Sequence, residues 1–184
     1  MERRIKAMEK KYLLPSLDLV ENVFTAYQDE KEGKMVRRLV EEIRAKKYYV
    51  PGLELIMVNE RDEVIGYAMF SRFHLGGKYE NELLLLTPVA VKTQVQRQHI
   101  SKQLLEYGFM RAKEMGFQAV LVEGNPQNYR SRGFQSSYRF GIEAGPAIKL
   151  PNPDCLMVKE LEEGSLEKIS GLVDYTFYQA LCEE

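Results

Sequence analysis

The chain has 184 residues, enough for one folded domain with a sizeable core. Its formal net charge of −1 leaves no global field to draw nucleic acid or an anionic membrane, and no apolar run approaches the roughly 20 residues that cross a bilayer. With 45% apolar and 29% charged residues, the composition is that of an ordinary globular protein.

The N-terminal stretch MERRIKAMEKK is basic but mixed in sign, and reads as a solvated surface. Charged residues interrupt every apolar stretch near the N-terminus, so no signal-peptide core is expected. Cys155 and Cys182 lack metal-ligand spacing, and a reduced, cytoplasmic setting is the simplest reading. No internal repeat or low-complexity tract is present.

Residues 5–8 are expected to form a short first strand. Leu17, Val20, Phe24 and Tyr27 recur at helical spacing after Pro15-Ser16, which marks a helix start. Met35, Val36, Leu39, Val40 and Ile43 give a second helical stripe, with Arg37, Arg38, Glu41 and Glu42 opposite. Residues 53–58 and 64–73 read as strands joined by a polar turn at 59–63, and Gly76-Gly77 opens another turn. The run 82–91 is too apolar to be half exposed and is expected to be a central strand. Pro88 within it predicts a bulge or local splay.

Ile100, Leu104, Leu105, Phe109, Ala112 and Met115 form the buried face of a third helix, which Gly116 ends. Residues 119–122 suit another buried strand, broken by Gly124-Asn125-Pro126. Residues 128–132 read as a short helix or turn, and 141–154, with two glycines and three prolines, as loop. A last strand is expected over 155–161 and a terminal helical segment over 166–177. This order fits a mixed α/β layer rather than a regular βαβ alternation.

The most informative segment is LTPVAVKTQVQRQHISKQLL, residues 86–105. An apolar strand runs through a polar join into an amphipathic helix. The N–H groups at a helix start lack intrahelical partners and carry partial positive charge, so such a join is suited to hold a phosphate. Its spacing resembles the pyrophosphate loop of the GNAT N-acetyltransferases, Gln/Arg-x-x-Gly-x-Gly/Ala. Gln96 fills the first position, and His99 and Ser101 stand where glycines are usual. Two further segments are similar to a bacterial subfamily of these enzymes. VEGNPQNYRSRGF, residues 122–134, resembles its Gly-(Asp/Asn/His)-Pro segment, with Tyr129 at the second aromatic and Asn128 in place of the first. The tail ending Ser-Gly-x-Val-x-Tyr, residues 170–175, resembles the subfamily's ending.

That resemblance implies one GNAT-like domain over 1–184, including a subfamily extension over 141–184. Its mixed, mostly antiparallel sheet would be splayed at the cofactor site, with helices on both faces. It implies acetyl transfer from acetyl-CoA to a primary amine of a small molecule, peptide or protein. The backbone of Val89 and Val91 would meet the pantetheine amides. The N–H groups from Arg97 through Gln98, His99, Ile100 and Ser101 to Lys102 would meet the pyrophosphate, with Gln96 as the first motif residue. Arg97 and Lys102 would add charge there.

Glycine at position 99 would let the backbone approach a phosphate without a Cβ, whereas histidine adds bulk and restricts φ. Acetyl-CoA binding is expected to survive with reduced affinity. Tyr129 is the candidate general acid for the departing thiolate, since a phenol of pKa about 10 is protonated at neutral pH. Asn125 and Asn128 are candidates for contact with pantetheine or the ribose phosphate, or simply for making the turn. The resemblance puts the acceptor pocket at the early helices and the loop around residues 74–80.

No general base is identifiable. The central run 83–86, where many members carry a glutamate, has no carboxylate, and Glu82, Glu123 and His74 lie only at strand ends. These departures keep open a second reading, a CoA-binding or interaction module that lost turnover, and a third, an apolar-stripe partner module. The two histidines and two cysteines give no metal set, and the patch Tyr129-Arg130-Ser131-Arg132 is thin support for RNA stacking. No nucleic-acid or membrane partner is expected. An edge strand near the C-terminus offers a surface for a homodimer.

Overall fold

The computed structural model describes residues 2–182. Its strands are β1 (Arg4–Ala7), β2 (Glu54–Val58), β3 (Val64–Arg72), β4 (Leu83–Val91), β5 (Ala119–Glu123), β6 (Gln135–Ser136), β7 (Ile142–Ala144), β8 (Leu156–Glu160) and β9 (Gly171–Val173). Its helices are α1 (Leu13–Tyr27), α2 (Glu30–Ala45), α3 (Ile100–Glu114) and α4 (Pro126–Tyr129), with several short 3-10 turns. Seven strands form one sheet in the order β1-β2-β3-β4-β5-β8-β6, and β7 and β9 form a second. The mixed α/β class expected from the sequence is the one observed, with β4–β5 a parallel pair and β1–β2, β2–β3, β5–β8 and β6–β8 antiparallel.

The chain divides into two compact units. The first comprises residues 1–71, 87–108 and 178–184. Here α1 packs on α2. The helix α2 is amphipathic, burying Val36, Leu39, Val40 and Ile43, and Asp29 caps it by accepting from the Glu32 amide at 2.8 Å. α1 starts at Leu13, earlier than Pro15-Ser16 suggested, because proline is tolerated in a first turn where its missing N–H would have no partner.

All five residues of β2 are buried. Glu54 among them is fully buried, accepting from the Tyr67 hydroxyl (2.6 Å), the Tyr49 hydroxyl (2.7 Å) and Arg44 Nε (2.8 Å). A buried carboxylate is tolerable only with such partners. The turn between β2 and β3 is closed by Asn59, whose side-chain oxygen accepts from the Arg61 and Glu63 amides. Residues near the C-terminus belong to this unit too. Glu42 on α2 accepts from the Gln179 and Ala180 amides at 2.8 and 2.9 Å, and Tyr178 sets its ring edge-on to Tyr48.

The second unit comprises residues 72–86 and 109–177. Leu83 to Leu86 are buried, as their continuous apolar run requires. The parallel ladder runs from Leu83–Ala119 to Leu85–Leu121, short of the cis peptide at Thr87–Pro88. Pairing of β5 with β8 continues to Glu123–Leu156.

Three expectations fail in this unit, the first being the burial of Met115, which lies just past α3 and is exposed. Residues 141–154 are not all loop, since Ile142–Ala144 form β7. Residues 166–177 are not helical: a 3-10 turn at Ser165–Lys168 is followed by β9, parallel to β7. Leu166, Ile169 and Val173 are all buried, and their spacing of three and four mimics a helical stripe. Gly171, at φ +140°, cannot continue a helix, and its neighbours Leu172 (exposed) and Val173 (buried) follow the two-residue period of a strand. The two-residue strand β6 was also not anticipated; it is too short to leave a periodic signal.

Candidate active site

In the first unit β4 ends at Val91, with Pro88 and Ala90 buried and Val89 and Val91 half-buried on the opposite face. The Lys92 amide donates to the Ile65 carbonyl at 3.0 Å, tying the strand's exit to β3. A 3-10 turn at Thr93–Val95 follows. Gln96 then folds back, its side-chain amide donating to the Val91 carbonyl at 3.1 Å. The first residue of the loop motif therefore holds the loop against the strand it leaves.

Arg97 and His99 both adopt left-handed backbone, at φ +61° and +62°. This is the conformation glycine takes most cheaply, and His99 stands where the motif has glycine. His99 thus holds a backbone conformation that glycine would adopt freely, and carries a side chain as well. Gln103 donates to the His99 carbonyl at 3.0 Å, so His99 is the residue from which α3 departs. The N–H groups of Ile100, Ser101 and Lys102 fall in the first turn, where the helix supplies no acceptor. Gln96, Arg97, Gln98, His99 and Lys102 are exposed and Ser101 is half-buried. Ile100 is buried and has only its backbone to offer. Lys102 shares its charge with Glu106, 3.7 Å away.

The start of α3 is positioned by Gly66 on β3. A Cβ there would stand 2.6 Å from Ile100 Cγ2 and 3.0 Å from Leu104 Cδ1, so the glycine permits this approach of helix to strand. Arg3 also reaches the loop. Its guanidinium donates to the Gln98 carbonyl at 3.3 Å and to the Gln98 side-chain oxygen. The sequence reading placed this stretch on a solvated surface. A contact across 95 residues leaves no local pattern, so nothing in the sequence signals it.

In the second unit the end of β5 leads to Gly124, whose amide donates to the Cys155 carbonyl at 2.9 Å. Asn125 caps α4, its side chain accepting from the Gln127 amide at 3.0 Å. That is the turn-making role, and its side-chain oxygen is engaged in it. Asn128 is exposed, and its carbonyl accepts from Arg132. Tyr129 is half-buried, edge-on to Phe134 with ring centroids 5.5 Å apart. It also lies over Gly124, where a Cβ would come within 2.9 Å of the ring. Burial raises the proton affinity of its phenol, and Arg132, 6.0 Å from the ring centroid, opposes that rise. The phenol is therefore protonated at neutral pH and equipped to donate a proton. His74 accepts from the Gly77 amide at 3.0 Å, and its ring centroid lies 4.6 Å from that of Phe177, which places it in a folded turn.

A helix start fed by a left-handed loop and a protonated phenol beside a glycine turn are groups that can serve acyl transfer from a phosphate-bearing thioester. Residues 18–141 match the model of the Acetyltransferase (GNAT) family. Escherichia coli YhbS, described as an uncharacterized N-acetyltransferase, is 26% identical over 145 residues, 78% of this chain and 83% of that protein. The crystal structure of YhbS from Escherichia coli in complex with CoA superposes with a TM-score of 0.84 at 21% identity, covering 100% of this chain and 93% of that one. A GNAT family acetyltransferase from Brucella melitensis, crystallised with acetyl-CoA, gives a TM-score of 0.73 at 21% identity, covering 98% of both chains. The family match spans well over half of the sequence, and the chain belongs to the GNAT family of acetyltransferases.

Proposed function

We propose that the protein transfers the acetyl group of acetyl-CoA to a primary amine of a small molecule, peptide or protein. The observation that carries this reading is the left-handed backbone of His99 at the head of α3, a glycine conformation kept at the motif's glycine position. The first-turn N–H groups of α3, with Arg97 and Lys102, would hold the pyrophosphate. The backbone of Val89 and Val91 would hold the pantetheine amides. Tyr129 would give its proton to the departing thiolate, and Asn125 and Asn128 would line the cofactor from their turn. The CoA and acetyl-CoA complexes of the Escherichia coli and Brucella melitensis proteins support the same cosubstrate.

In this reading residues 1–184 act as one acetyltransferase domain in the cytoplasm. No helix among the described residues is long and apolar enough to cross a membrane. A homodimer along a C-terminal edge strand is the assembly it favours, supported by exposed Leu172 on β9; sedimentation velocity tests it. Free-thiol release from acetyl-CoA in the presence of a panel of primary amines tests the activity itself. Saturable release with at least one amine is expected.

The second reading, a CoA-binding module without turnover, is favoured by one observation: the buried run Leu83 to Leu86 carries no carboxylate. It predicts saturable acetyl-CoA binding with no thiol release from any amine.

A further inference from the structure

Arg97 and His99 are left-handed, and Gln98 stands between them. L side chains resist this conformation, and two such residues so close together persist only where the surroundings over-determine them. The two ends of the loop have local anchors. Gln96 donates to the Val91 carbonyl at 3.1 Å, and the Gln103 amide closes the first turn of α3 on the His99 carbonyl at 3.0 Å. The middle has a remote anchor. Arg3, one residue before β1, donates through Nη1 to the Gln98 carbonyl at 3.3 Å and through Nη2 to the Gln98 side-chain oxygen. One guanidinium thus grips both the backbone and the side chain of a single loop residue.

The register of the sheet brings Arg3 there. Arg4 pairs with Val58 at the end of β2, Val58 with Val64 at the start of β3, and the Ile65 carbonyl holds the Lys92 amide at the exit of β4. Arg3 therefore enters the sheet at the same end from which the loop leaves it. Arg3 is half-buried, and its Nε is buried without a hydrogen-bond partner among the described residues. The guanidinium's hold on its surroundings is thus through the two Nη groups on Gln98. Hydrogen bonds from a charged, partly desolvated donor are stronger than those of a neutral donor in water.

We propose that Arg3 is a positioning residue for acetyl-CoA, which by holding Gln98 aims the His99 amide at the pyrophosphate. The inference rests on the acetyl-transfer reading and deepens it. The peptide joining Gln98 to His99 is trans and planar, so its C=O and N–H point in opposite directions. With the carbonyl turned to Arg3, the His99 N–H faces away from Arg3, and among the described residues no acceptor takes it. That N–H is left for an anion, alongside the first-turn N–H groups of α3. Arg3 acts through Gln98 and is not itself a phosphate ligand. Lysine cannot do the same work, because an ammonium is a point charge and lacks the planar fork that reaches two oxygens of one residue.

Acetyl-CoA affinity and thiol-release kinetics are measured for the wild type, Arg3→Met, Arg3→Lys, Gln98→Ala and the double variant of Arg3→Met with Gln98→Ala. Each is read well below its melting temperature, so that lost stability is not read as lost affinity. Arg3→Met is expected to raise the acetyl-CoA Kd about tenfold, and to raise the acetyl-CoA KM more than it lowers kcat. Arg3→Lys is expected to behave like Arg3→Met. Gln98→Ala removes one of the two oxygens that Arg3 grips, so Arg3→Met should cost less affinity in that background than in the wild type. Three results overturn the proposal while leaving acetyl transfer standing. They are an unchanged Kd in Arg3→Met, full affinity in Arg3→Lys, which would assign Arg3 its charge alone, and additive losses in the double variant, which would mean that Arg3 meets the phosphate directly. Absence of acetyl-CoA binding by the wild type overturns both.

Discussion

Gln103 donates to the His99 carbonyl at 3.0 Å while His99 itself sits at φ +62°, so the residue that launches α3 is held in a conformation that L side chains resist. Histidine tolerates it better than a β-branched residue does. His99→Gly should keep the loop and tighten acetyl-CoA several-fold, because the backbone is retained and the side chain beside the phosphate site is gone. His99→Val should cost about 1–2 kcal/mol in stability and weaken binding. Calorimetric titration with acetyl-CoA decides it: an unchanged Kd in His99→Gly removes the side chain as a determinant of affinity.

Gly66 supports the same loop from β3. In Gly66→Ala the new methyl would meet Ile100 and Leu104, and overpacking of this kind costs about 1–3 kcal/mol. The first turn of α3 must shift to make room. A lower melting temperature is expected, together with acetyl-CoA binding weakened beyond what the lost stability explains. Affinity equal to the wild type would show that the contact does not position the loop.

Tyr129→Phe removes only the hydroxyl. It should lower kcat by ~10²-fold or more, leaving acetyl-CoA affinity near the wild-type value. The pH dependence has a definite sign. A general acid works while protonated, and burial raises the proton affinity of Tyr129, so its contribution is complete at neutral pH and is lost only as pH rises past the ordinary phenol range near 10. A rate that falls between neutrality and mildly alkaline pH in the wild type, and not in Tyr129→Phe, would contradict this assignment.

Arg44 and Glu54 form a buried ion pair, with Arg44 Nη2 2.6 Å from Glu54 and side-chain exposures of 14% and 0%. Arg44→Met strands the carboxylate without its cation. Breaking such a pair costs about 3–5 kcal/mol, which lowers the melting temperature by about 6–20 °C for a chain of this length. Thermal unfolding measures it, and a drop of under about 2 °C would show that Tyr49 and Tyr67 suffice for the carboxylate.

The elements that order the site were legible because their patterns are local. The stripe Val36, Leu39, Val40 and Ile43 announces α2, and the continuous apolar run from Leu83 to Leu86 announces a strand buried on both faces. Gln96 to Ser101 announce the loop by their resemblance to the family's phosphate-loop motif. What stayed hidden depends on partners remote in sequence. Leu166, Ile169 and Val173 imitate a helix because each is buried for a different reason, two in and after a 3-10 turn and one in a strand. The parallel pairing of β7 with β9 brings together residues about thirty positions apart, as Ile142–Gly171 shows. Arg3 at Gln98 is likewise a product of the tertiary fold. The left-handed backbone of His99 was not predictable either, since the residue type argues against it.

The central claim is that this chain binds acetyl-CoA through the loop from Gln96 to Lys102, and thermal unfolding with and without acetyl-CoA tests it most directly. Ligand at 100 times its dissociation constant adds about 2.7 kcal/mol, which should raise the midpoint by about 5–10 °C. That rise, diminished in Gly66→Ala, is the predicted result. No rise at saturating concentration would mean that the His99 side chain closes the loop to phosphate, and would contradict the account.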